Sequence, residues 1–191
     1  MKVTAIRGFS DILPGEVETW QWVETKAREI LSAYNFAEIR IPVVEKTELF
    51  SRSLGETTDI VEKEMYTFAD RDSKGSLLTL RPEGTAGVVR AYVESEMFKN
   101  EPAQKLYYLG PMFRRERPQK GRMRQFHQFG AEVLGRGDAF VDAEVLLLLH
   151  DFFSAVGLEG AALQINSLGC SECRPRYRLR LLAYLKERED A

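Results

Sequence analysis

The chain has 191 residues, of which 44% are hydrophobic, 29% charged and 10% aromatic, and its formal net charge is −2. This excludes an unfolded chain, because there is ample apolar material to offset the entropy of ordering, and we read residues 1–191 as a single domain. The longest apolar run, Val145 to Leu149, is far shorter than the roughly 20 residues of a membrane helix, no secretory signal is visible, and two cysteines cannot staple a fold of this size, so a reducing cytoplasm and no membrane partner are expected.

In chain order, Pro14 suits the first turn of a helix along which Trp20, Val23, Ala27, Ile30, Leu31 and Tyr34 recur at helical spacing, with Asn35 as its end. A strand is predicted from Ala37 to Ile41, stopped by Pro42. Residues 45–64 read as helix plus exposed loop. Met65 to Ala69 and Ser76 to Leu80 read as strands around the turn Asp70 to Gly75. A helix from Glu83 to Phe98 would bury Ala86, Val89, Val93 and Met97. Two strands follow, Lys105 to Arg114 and Met123 to Leu134, joined by a basic loop. Then come a helix from Asp138 to Val156, a strand at Leu163 to Asn166 and a helix starting at Pro175. Sequential strands joined by tight loops favour an antiparallel sheet, so the class is α+β.

The charge is unevenly spread. Residues 114–124 hold six basic side chains against the single acid Glu116, a local charge of +5, while the remainder carries −7. A local basic cluster in an acidic body points to a small anionic ligand. On the strand that follows, alternation separates two faces. Met123, Gln125, His127, Phe129, Ala131 and Val133 suit a core. Arg124, Phe126, Gln128, Gly130 and Glu132 offer a cation, an aromatic plate, an amide, a gap and a carboxylate. From Phe126 to Glu132 the strand spans about 20 Å, enough for a nucleotide and a small polar ligand end to end. Arg114 at the end of the preceding strand would project towards Phe126 and Gln128, and its planar guanidinium suits a carboxylate and a phosphate at once. An aromatic plate, the acid Glu116 for an exocyclic amine and arginines for phosphates make an ATP site without a Gly-rich loop.

The run Phe113-Arg114-Arg115-Glu116-Arg117-Pro118-Gln119-Lys120-Gly121-Arg122-Met123-Arg124-Gln125-Phe126-His127-Gln128 resembles the second signature motif of class II aminoacyl-tRNA synthetases in its histidyl-tRNA synthetase form. Arg7 to Pro14 resembles that family's amino-terminal segment, Phe36 to Pro42 its first motif at a dimer interface, and Leu80-Arg81-Pro82-Glu83-Gly84-Thr85 its amino-acid-binding loop. Asn166 to Cys170 with Cys173-Arg174-Pro175 is similar to a segment of bacterial members.

The resemblance implies a class II synthetase-like antiparallel β-sheet flanked by helices, incomplete at its C-terminal side. It implies activation of histidine by ATP with Mg2+, then transfer to the 3′ end of tRNA(His), in a homodimeric parent protein. Arg114 would be the catalytic arginine, bridging the amino-acid carboxylate and the α-phosphate. Glu83, Gly84, Thr85, Arg114, Gln128 and Glu132 would bind histidine, with Glu83 facing the ammonium and Glu132 accepting from the imidazole. Arg114, Glu116, Arg122 and Phe126 would bind ATP. The third motif, the histidine-specific segment and the anticodon-binding domain would lie outside these residues, leaving the chain alone inactive or very weak. Two other readings remain: a synthetase-like regulatory subunit of histidine biosynthesis, whose motifs usually depart from the catalytic set, and a non-catalytic nucleotide- or RNA-binding module with a basic hairpin. Cys170 and Cys173 have metal-like spacing, but zinc wants about four ligands and only His127 and His150 remain, so no protein-bound metal is expected. His150, beside Phe152 and Phe153, reads as a packed histidine.

Overall fold

A computed structural model describes residues 3–54, 63–72, 75–166 and 169–188, in two compact units, 1–159 and 160–191. In the first unit, helix α1 (Val17–Ala33) starts after Pro14, where Glu18 reaches back to accept the Gly15 N–H at 2.8 Å. It buries Ala27 and Leu31 and stops at Asn35, whose φ of 62° is the left-handed turn that ends helices. Strand β1 (Ala37–Glu38) is shorter than predicted. It runs parallel to β5 (Gln104–Phe113), so the sheet is not wholly antiparallel.

Glu45 and Lys46, at the start of the stretch 45–64 read as helix plus exposed loop, instead join Val44 in a strand, β2 (Val44–Lys46), followed by α2 (Thr47–Leu54). Its pairing with β4 (Leu77–Leu80) is tertiary and leaves no alternation in so short a stretch. Residues 55–62 of that predicted segment lie outside the described residues, as do 73–74 of the predicted turn. Strand β3 (Tyr66–Ala69) pairs antiparallel with β4, giving the order β2-β4-β3.

Helix α3 (Thr85–Glu94) ends earlier than expected, where Glu96 takes φ 51° and a single 3-10 turn, Met97–Lys99, follows. Its buried face is Ala86, Gly87 and Val88, whereas Val89 and Val93 are 39% and 57% exposed, contrary to the periodicity. Small residues win because Ile41 sits close: a Cβ on Gly87 would lie 2.9 Å from Ile41 Cδ1. Strand β6 (Gln125–Leu134) pairs with β5 over ten residues, from Gln104 opposite Leu134 to Phe113 opposite Gln125, completing the sheet β1-β5-β6.

Each face of this sheet carries a core. Ala27, Leu31, Phe36 and Tyr107 cluster with Leu148 and Phe152 of α4 (Ala139–Ala155), against Phe129, Ala131 and Val133. Ile41, Val88, Leu106, Tyr108 and Met112 cluster on the other face, against Phe126 and Leu134. The α+β class and the two faces of β6 are therefore as the sequence pattern expects. His150 is not packed: it is exposed, with Nδ1 3.3 Å from Asp151 Oδ1.

The two sheets of this unit meet at Arg81. Its backbone N–H donates to Val43 O and its carbonyl accepts from Phe113. Its buried guanidinium donates to Pro111 O (2.9 Å), Ile41 O (2.8 Å) and Pro42 O (3.5 Å). Burial lowers its pKa from the ordinary arginine value, yet an arginine keeps its charge.

In the second unit the predicted strand at 163–166 is irregular, with Leu163 and Ile165 exposed, because no strand among the described residues pairs with it. Helix α5 (Cys173–Lys186) begins two residues before Pro175, which occupies its first turn.

Candidate functional site

The hairpin register sets Phe126, Gln128, Gly130 and Glu132 of β6 opposite Met112, Gly110, Tyr108 and Leu106 of β5. Gly130, expected as a gap, is not open. The ring of Tyr108 fills it, and a Cβ on Gly130 would lie 2.3 Å from Tyr108 Cζ. Gly84 closes on the same ring, where a Cβ would lie 2.2 Å from Cε2. Tyr108 is thus wedged between two glycines and 2% exposed. Its oxygen accepts from Gln128 Nε2 at 3.2 Å and lies within reach of the Thr85 hydroxyl and the Gly84 N–H. Burial pushes its pKa up, so the phenol keeps its proton at neutral pH. The sequence reading passed over Tyr108. The available signal was alternation on β5, which puts Tyr108 straight across from the one glycine in the polar row of β6.

Glu83 lies just before α3 and caps it. Its Oε2 accepts the Thr85 N–H at 2.6 Å and its Oε1 the Ala86 N–H at 3.0 Å, so the helix N-terminus supports its negative charge. The Thr85 hydroxyl donates to Glu132 Oε1 at 2.6 Å. Glu83, Gly84, Thr85, Gln128 and Glu132 are therefore gathered around Tyr108 by one loop and one strand.

Burial raises the Glu132 carboxyl above its ordinary value and nearby Glu83 raises it further, against the Thr85 hydrogen bond, which lowers it. Folding therefore favours the protonated form. The stability this group contributes is full below its unfolded pKa, about 4.3, and is lost as pH rises through its higher folded value. Glu132→Gln is expected to raise the melting temperature at pH 8 relative to the parent chain. The difference should vanish below about pH 4. Melting curves across that range check it, and a pH-independent difference would count against the assignment.

At the other end of the row, Arg114 Nε donates to Pro82 O at 2.9 Å, and its guanidinium carbon sits 5.1 Å from the centroid of the Phe126 ring. Arg114 Nη1 is 3.9 Å from Glu116 Oε1. Glu116 is 9% exposed and its Oε2 lies 2.5 Å from Arg122 Nε, on a side chain that is 58% exposed. The residues between form a tight turn in which Gln119 and Arg122 bond each other's backbone at 3.1 and 2.9 Å. Arg114, Glu116, Arg122 and Phe126 thus form a second group, joined to the first by the Arg114–Pro82 bond. Arg124 points elsewhere in function: its Nε donates to Glu116 O, and its backbone N–H and that of Gln125 bond Gly8 O, which fastens the amino-terminal segment to β6. His127 lies on the opposite face, its ring 4.8 Å from that of Trp20.

Residues 8–172 match the family model for histidyl-tRNA synthetase. The chain belongs to the histidyl-tRNA synthetase family. It is 60% identical to a histidine–tRNA ligase of Syntrophotalea carbinolica over 190 residues, which is 100% of this chain and 45% of that protein. The chain spans under half the length of the curated relatives it matches. Among solved structures, apo histidyl-tRNA synthetase of S. aureus is 41% identical with a TM-score of 0.67, covering 83% of this chain and 36% of that one. A Bacillus halodurans C protein described as an ATP phosphoribosyltransferase regulatory subunit/histidyl-tRNA synthetase superposes with a TM-score of 0.69 over 82% of this chain and 39% of that one. At 24% identity that likeness shows the fold alone. No helix among the described residues is long and apolar enough to cross a membrane.

Proposed function

We propose that this chain supplies the surface on which a longer, homodimeric, cytoplasmic ligase activates histidine with ATP and passes it to the 3′ end of tRNA(His). The observation that carries the reading is the position of Arg114. It lies over Phe126 and holds Pro82, so it stands between the residues expected to take the nucleotide and those expected to take the amino acid. A carboxylate oxygen of histidine attacks the α-phosphorus, the bond to pyrophosphate breaks, and the guanidinium neutralises charge gathering on the oxygens between them. Adenine stacks on Phe126, and magnesium enters with the nucleotide as part of the substrate. Glu116 and Arg122, paired in this structure, exchange partners: Glu116 takes the adenine amine and Arg122 the outer phosphates. The buried Glu116 carboxylate is not left uncompensated, because the adenine amine replaces Arg122 as its donor. Glu83, Gly84, Thr85 and Gln128 hold the amino-acid end, and Glu132 accepts an imidazole N–H. An apolar amino acid would offer that carboxylate no donor to join the Thr85 hydroxyl.

Calorimetry on this chain tests the reading. ATP and histidine should bind in the millimolar range, and Arg114→Ala should weaken both by at least about tenfold. Binding to polyanions alone, with a steep salt dependence, would instead support an RNA-binding module. In pyrophosphate exchange the chain by itself is expected to show little or no turnover.

A further inference from the structure

Cys170 and Cys173 belong to the second unit and lie at the start of α5. Counting ligands along the sequence argued against a metal there. The local geometry argues the other way. The Cys170 N–H donates to Cys173 Sγ at 2.9 Å, and the Cys173 N–H donates to Cys170 Sγ at 3.4 Å. Each sulfur therefore accepts at least one backbone N–H, and the deprotonated thiol is the form that ligates metals. Both residues are exposed and neither is in a disulfide. Gly169 clears the space: its φ is 72°, and a Cβ there would lie 2.6 Å from Cys173 Sγ. No third His, Cys, Asp or Glu joins the pair among the described residues.

We propose that Cys170 and Cys173 chelate one zinc-class divalent ion through both sulfurs. Soft thiolate donors select such ions over magnesium or calcium, and a tetrahedral ion so held keeps two further positions for water or other donors. Binding is a simple exchange: the ion displaces one proton from each thiol, two metal–sulfur bonds form, and no oxidant is needed. A disulfide is the weaker alternative, since exposed bridges have oxidising potentials and open readily in thiol buffers.

Cobalt(II) serves as the probe, on the reduced chain without oxygen. The expected result is thiolate-to-cobalt charge-transfer absorption that rises to a plateau at no more than one ion per chain and is erased by added zinc. Cys170→Ser and Cys173→Ser should each weaken cobalt binding at least tenfold, because chelation needs both sulfurs. Their far-ultraviolet circular dichroism should match the parent's, since both side chains are exposed. Absence of the band in the reduced parent chain would overturn the proposal, as would either serine variant binding cobalt with the parent's affinity.

Discussion

Gly130→Ala is expected to destabilise the chain by about 3 kcal/mol, the upper range for forcing extra volume into a packed interior. The added methyl would lie 2.3 Å from Tyr108 Cζ, and the ring cannot retreat, because Gly84 already presses on its other edge. Urea unfolding followed by circular dichroism measures the effect. Gly137→Ala is the control, since a Cβ there meets nothing within 4 Å, and it should stay within about 0.5 kcal/mol of the parent. Tyr108→Phe should not rescue Gly130→Ala, because the ring that clashes remains. Alone it should cost about 1 kcal/mol, the hydrogen bond from Gln128 being lost. A Gly130→Ala chain as stable as the control would mean that Tyr108 is not the wedge described.

Arg81→Leu is expected to cost about 3 kcal/mol, read as a lower midpoint in the same unfolding experiment. The leucine replaces the stem but leaves the carbonyls of Pro111 and Ile41 without their charged donor, in a buried place where water does not substitute. Arg81→Lys should recover only part of the loss. An ammonium is one point charge and does not span partners on two separate segments as a planar guanidinium does. Because Arg81 precedes Pro82, whose carbonyl holds Arg114, the leucine variant should also raise hydrogen exchange at the Phe113 amide, which bonds Arg81 O. Arg81→Leu within about 0.5 kcal/mol of the parent would show that the junction does not depend on this side chain.

The legible parts of the fold are those whose pattern is long. Helix α1 and the β5–β6 hairpin follow the expected spans closely, because ten or more residues repeat a period strongly enough to read. Strand β2 was missed because three residues carry no period, and β1 is short because among the described residues it pairs with β5 alone, over Ala37 and Glu38. The buried stripe of α3 was misread because a periodicity argument favours large apolar residues, whereas the close approach of Ile41 selects Gly87 and its small neighbours. Of the candidate site, alternation along β6 placed Phe126, Gln128 and Glu132 on one face, and the register agrees. Their roles towards histidine and ATP rest on motif resemblance, and the calorimetry above tests them.

What the sequence determined by itself is local: the family, the α+β class, the polar row on β6 and the concentration of positive charge between Arg114 and Arg124. Each is written in neighbouring residues, through period, turn chemistry or charge. What only the tertiary structure decided is which distant groups meet. Glu83 turned out to cap α3, Arg122 to pair with Glu116, and Tyr108 to fill the space at Gly130. Arg81, one of many arginines in the chain, became the buried link between two sheets. These depend on strand register and helix approach, which bring together residues tens of positions apart, and no periodicity within a single segment encodes such a distance.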